Sequence, residues 1–212
     1  MLGIEQSGMS WRIVTVVLPV AVYFFILGFL NSRRRPLVLT GRTDFVLMIA
    51  ALSPLFACPL LGWLGMSAVS LVAVVAALAG AIGALAPRGP AWVIYNLPLG
   101  QATTIIERTL RSLGVPVRPQ REGFRLADRE GGIHVSGFSL LRNVSVRLEG
   151  QAKALAGPFE DTLRRMLATT ETDTTPAALA MLMAAIAMMV VPLALVAQQV
   201  PQIVRILTDL LP

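Results

Sequence analysis

The side chains that could carry chemistry are few and poorly placed for it. The chain has one cysteine, Cys58, one histidine, His134, and one lysine, Lys153. Cys58 lies inside an uncharged run, so an intramolecular disulfide and a thiolate cluster are both excluded, and it reads as a small apolar residue in a helix interface. His134 falls on the opposite strand face from Ile133 and Val135, with no second histidine or cysteine near it in sequence, and reads as a solvated side chain. Lys153 is followed by alanine, which rules out a Walker A loop. The acids Glu160 and Asp161, and Asp128 and Glu130 around Arg129, occupy adjacent or turn positions that do not converge on one substrate. No catalytic residue, metal ligand or cofactor is therefore assigned.

Arginine is the exception. Arg33, Arg34, Arg35 and Arg42 crowd into "NSRRRPLVLTGRTDF", residues 31–45, and Arg88 stands alone further on. Arg118, Arg121, Arg125 and Arg129 recur every three or four residues, but Pro119 and Gly123 break any helix there, so they are expected on a hairpin surface. Such clusters can bind anionic groups. The net charge of +6 is spread along the chain without interleaved aromatics or a known binding motif, which argues against nucleic acid as a partner.

The elements that position these arginines are membrane spans. Apolar residues make up 55% of the 212 and charged residues 14%, against about 25% charged in soluble domains. Residues 13–30, 45–64, 67–86 and 177–197 contain no Asp, Glu, Lys, Arg or His. At about 1.5 Å per residue, each run is long enough to cross a hydrocarbon core. Four transmembrane helices are expected, with the second and third joined in a hairpin at Gly65 and Met66. The first run lacks an A-x-A-like site and is followed by arginines, so it reads as a retained anchor.

Basic residues in short loops stay cytoplasmic. Arg33, Arg34, Arg35 and Arg42 are then topogenic and available to lipid headgroups, and Arg88 marks the same inner edge. The layout follows by counting crossings. Residues 1–12 are a short outside tail, 31–44 a basic cytoplasmic loop, 87–175 a cytoplasmic domain, and 198–212 an outside amphipathic tail after a last span ending at 197. Trp11 and Trp63 are expected at the outer boundary and Trp92 at the inner one.

Within the spans, Ala76, Gly80 and Ala84, with Gly83 beside them, and Ala180 with Ala184, form small-residue faces that allow helices to approach closely. The spans hold no ionisable group, which argues against proton-coupled or ion-coupled transport.

Between the third and fourth spans the pattern is that of a small α+β domain of ferredoxin-like character. "AWVIYNL" is rich in strand formers, and Ile105, Ile106, Leu110 and Leu113 make a helical stripe closed by Gly114. Strands are expected at "VPVR", "GFRLAD", "IHVSGF" and "NVSVRLE", then a helix at "GPFEDTLRRMLATT" with Glu160 and Asp161 in its first turn. Residues 170–175 read as a polar link.

The run "RPLVLTGR-x-DF" after a first span, a paired span, "VIYN" opening a small domain and "LLRNVSVRL" before a last span together carry a likeness. The chain resembles a group of uncharacterised bacterial integral membrane proteins from high-GC genomes. The resemblance implies the layout, and carries no activity and no site residue. The expected function is a non-enzymatic subunit or scaffold of the bacterial inner membrane, with membrane protein partners or self-association. The alternatives are a channel-forming protein, or one that binds or processes headgroups at the membrane surface.

Overall fold

The computed structural model describes residues 2–127 and 130–210, with side-chain surroundings for 14–127, 130–139, 141–194 and 197. Among the described residues, four helices are long and apolar enough to cross a membrane. They are α1 (Leu2–Asn31), α2 (Gly41–Leu64), α3 (Ala68–Leu85) and α6 (Pro176–Leu210). They mark the chain as a multi-pass membrane protein. Among the described residues, α1 packs most extensively on α6 and next on α2, while α3 leans on α2.

Local chemistry sets the helix starts. The Thr40 hydroxyl accepts from the Thr43 amide at 3.2 Å to begin α2, and Ser67 accepts from Ser70 at 3.1 Å to begin α3. Between those two helices Gly65 takes φ +81°, a left-handed value suited to glycine in a tight hairpin. Residues 2–12, expected as a tail, instead form the start of α1. Residues 198–210, expected as part of an outside amphipathic tail, are helical and continue α6. Proline at 192 or 201 removes only one backbone donor each, and membrane helices tolerate this. The side chains of both terminal stretches, Trp11 included, lie outside the described residues.

The remainder is a six-stranded antiparallel sheet with helices α4 (Leu99–Ser112) and α5 (Ala156–Ala168). Its strands are β1 (Leu37–Thr40), β2 (Ala91–Tyr95), β3 (Val117–Gln120), β4 (Gly123–Leu126), β5 (Gly131–Phe138) and β6 (Asn143–Gly150), in the order β1-β2-β6-β5-β4-β3. Alternate residues point to one core. Val144, Val146 and Leu148 of β6, Ile133 and Val135 of β5 and Ile94 of β2 are buried with Ile106 and Leu110 of α4 and Phe159 and Leu163 of α5. Both helices therefore cover the same sheet face. Gly114 ends α4 as expected, with φ +67° and a Schellman pair of bonds, Gly114 to Arg111 and Val115 to Leu110, each 3.1 Å.

Three further expectations change. The basic stretch is more than a loop, because Leu37–Thr40 is the edge strand, paired in register from Leu37↔Tyr95 to Thr40↔Trp92. That pairing puts residues 31–40 at the same end of the bundle as the sheet. Trp92 is not an interfacial anchor. Strand alternation turns it into the core, 3% exposed and with its ring 5.4 Å from that of Phe159. Helix α5 begins at Ala156, so Glu160 and Asp161 lie beyond its first turn, and Glu160 instead pairs with Arg164 at 2.8 Å.

Candidate functional site: the junction of bundle and sheet

The polar groups with the most structural consequence gather where the four helices meet the sheet. Asn31, the last residue of α1, is fully buried. Its Nδ2 donates to the Leu27 carbonyl, one turn back along the helix, at 2.8 Å. Its Oδ1 accepts the Asn96 amide at 3.1 Å. Asn96 follows β2 in the left-handed region, φ +57°, a conformation asparagine tolerates better than most residues. The Asn96 Nδ2 donates to the Arg33 carbonyl at 2.7 Å and to Thr172 Oγ1 at 3.0 Å, while its Oδ1 has no protein partner.

The polar link is strapped to the same place. The Thr172 amide donates to the Arg34 carbonyl at 2.9 Å, and the Thr174 hydroxyl to the Ser32 carbonyl at 3.2 Å. Thr175 then caps α6 by accepting from the Ala178 amide at 3.0 Å. On the neighbouring side the Tyr95 hydroxyl donates to the Asp44 carboxylate in the first turn of α2. Burial, and then this bond to Asp44, hold the Tyr95 hydroxyl above its ordinary titration range. Where α2 enters the sheet, Gly41 lies against Ala91, whose Cβ would be 3.2 Å from a Cβ added to the glycine.

Against this junction lies an open groove of about 430 Å³ between residues 33–38 and α5. Arg33, Arg34 and Arg35 line it and are exposed, and among the described residues none has an ion-pair partner. Arg164 forms the opposite wall. Its Nε and Nη2 reach Glu160 Oε1 at 2.9 and 2.8 Å, and its Nη1 reaches the Val38 carbonyl at 3.2 Å. Burial raises the Glu160 pKa, but bonds from Arg164 and the Trp92 indole, with the charge of Arg164, bring it below its ordinary value.

The other sequence candidates lie apart. Arg42 is exposed in the first turn of α2, and Arg88 donates to the Ala84 carbonyl at 3.3 Å at the end of α3. Arg118 and Arg125 face each other across the β3–β4 hairpin, with Arg121 in its turn. That hairpin is at the sheet edge opposite β1, so the two arginine sets do not converge. Asp128 and Arg129 lie outside the described residues. His134 is exposed, with Nδ1 3.8 Å from Glu122, and Cys58 is exposed on α2.

Ala76, Gly80, Gly83 and Ala84 of α3 are at most partly covered, with no atom within 4 Å of a Cβ position at Gly80 or Gly83. Ala180 and Ala184 are exposed too, and the buried alanines of α6 are Ala178 and Ala185. The close helix approach is at Gly28, where a Cβ would stand 2.8 Å from Leu182 Cγ.

Sequence reasoning missed Asn31, Asn96, Asp44, Tyr95, Arg164 and Gly28 as junction or packing residues. Two signals pointed to part of this: an asparagine directly after a strand, and "PLVLT", a run of strand formers inside a basic loop. No protein-family model, curated protein or solved structure matches the chain.

Proposed function

We propose that the chain is a non-enzymatic integral membrane subunit or scaffold. In this reading it sits in a bacterial inner membrane, with both termini outside and the sheet domain on the cytoplasmic side. One observation supports it most. The small-residue face of α3 at Ala76, Gly80, Gly83 and Ala84 has no covering helix within the described chain. Glycine and alanine at this spacing bring helix backbones together when a partner is present, and contribute little packing against lipid. A second helix, from another copy or another subunit, is the natural occupant.

Arg33, Arg34, Arg35 and Arg42 beside the spans favour the inner side for the sheet domain. The resemblance to bacterial membrane proteins agrees with that placement. The ferredoxin-like character of the domain is part of the same reading. It is supported by α4 and α5 lying on one face of an antiparallel sheet.

The test is the mass of the protein in mild detergent. The expected particle is larger than one chain plus its micelle, or carries co-purified membrane subunits. Gly80→Leu, which fills the open face, is expected to reduce it to a monomer without lowering its melting temperature. A monodisperse single chain with no partner in the wild type would end the proposal.

A further inference from the structure

We propose that the groove lined by Arg33, Arg34, Arg35 and Arg164 is a binding site for the phosphate of an anionic headgroup. Three observations carry this. Arg33, Arg34 and Arg35 are consecutive, exposed and unpaired among the described residues, so their mutual repulsion is offset by no protein carboxylate within ion-pair range. A phosphate, with several acceptor oxygens, matches the guanidinium forks and offsets that repulsion.

The backbone that carries these arginines is also held still. Asn96 bonds the Arg33 carbonyl, and Thr172 bonds the Arg34 carbonyl. Arg164, bound to Glu160 and the Val38 carbonyl, is a fixed wall whose charge is already balanced. A rigid site loses less entropy on binding than a mobile basic tail. Glu171 and Asp173, which flank Thr172, make no ion pair with the three arginines.

The third observation is the apolar part of the lining that solvent reaches, Pro36 and Leu37 at β1 with Ala168 of α5. A bare inorganic ion gains nothing from such a surface, whereas the glycerol and first acyl carbons of a phospholipid do. The groove also opens where α1 ends and α2 begins, the level of a headgroup if these helices span the bilayer. Only this lipid form of the proposal rests on the membrane reading above.

The decisive variant replaces Arg33, Arg34 and Arg35 with lysine. It keeps the positive charges that orient the protein, and it leaves the backbone bonds to Asn96 and Thr172 in place. What it removes is the planar fork. The purified full chain in detergent would be titrated calorimetrically with dihexanoyl phosphatidylglycerol, dihexanoyl phosphatidylcholine and inorganic phosphate. The wild type is expected to bind the glycerol lipid saturably, phosphate more weakly and the choline lipid not at all. The triple lysine variant should bind about tenfold more weakly, and Arg42→Lys, outside the groove, should match the wild type.

Inorganic phosphate binding as tightly as the lipid, with the same loss in the variant, would support the site and assign it to a soluble phosphate. Equal binding by wild type and triple variant would overturn the proposal in favour of diffuse attraction. So would no saturable binding of either anion. If the triple variant does not fold, the three single lysine variants carry the same titration. Particle mass in detergent is independent of these titrations, so the groove and the scaffold reading fail separately.

Discussion

Asn96 is the residue whose replacement tests the junction most sharply, because two separable effects meet there. Asn96→Ala removes the Nδ2 bonds to the Arg33 carbonyl and to Thr172, each worth about 1 kcal/mol net. It also places alanine at φ +57°, which costs about 1 kcal/mol more than asparagine in the same region. Against this, it removes the buried Oδ1 that has no protein partner, a gain of about 1 kcal/mol. The balance is a loss of about 2 kcal/mol. Asn96→Gly loses the same bonds but adopts the left-handed region freely, so its loss is about 1 kcal/mol. Asn96→Asp is worst, since it sets a buried carboxylate against the Arg33 carbonyl and costs several kcal/mol. For a chain of this size, each kcal/mol shifts the melting temperature by about 2–4 °C. Thermal unfolding of the detergent-solubilised full chain should therefore rank wild type, glycine, alanine and aspartate in falling order. Glycine and alanine melting together would refute the backbone argument. All three variants melting with the wild type would refute the junction.

Gly28→Leu should separate α1 from α6, because even a Cβ there meets Leu182 Cγ at 2.8 Å and the Leu182 backbone nitrogen at 3.1 Å. The expected loss is about 1–3 kcal/mol in a denaturant titration. Val146→Asp should abolish the cooperative transition of the sheet domain in the full chain, since Val146 is 1% exposed and faces Trp92 and Val135 in register. Acid titration tests Glu160, whose folded pKa lies below its ordinary 4.5. A lowered folded pKa contributes stability above the unfolded value, and that stability is lost as pH falls through the folded value. The wild-type melting temperature should thus drop more steeply below about pH 4.5 than that of Glu160→Gln.

The spans were legible because a missing charge is a local property that needs no partner to be read. The same holds for the stripe of α4 and the alternation of β6, where Val144, Val146 and Leu148 are buried and Ser145, Arg147 and Glu149 exposed. What escaped was pairwise. Leu37–Thr40 is four residues long and becomes a strand through β2, more than fifty residues away. Its arginine-rich flank gave the stretch the look of a loop. Trp92 reads as a membrane-boundary residue until the sheet fixes which strand face is buried. The face of α6 that packs on α1 carries Leu182, which lies over Gly28, and no inspection of α6 alone reveals it. Asn31 and Asn96 are 65 positions apart, and Arg164 joins the arginine groove only through the packing of α5 beside β1.

The proposed topology puts the α2–α3 turn and the sheet domain on opposite sides of a membrane, with the domain inside. In a Cys58→Ala background, cysteine can be placed at Met66, 87% exposed in the turn, and at Ser139, exposed after β5. A membrane-impermeant thiol reagent is expected to label position 66 in intact bacterial cells and position 139 only after lysis. Labelling of position 139 in intact cells, or of both positions from one side, would contradict the proposed topology.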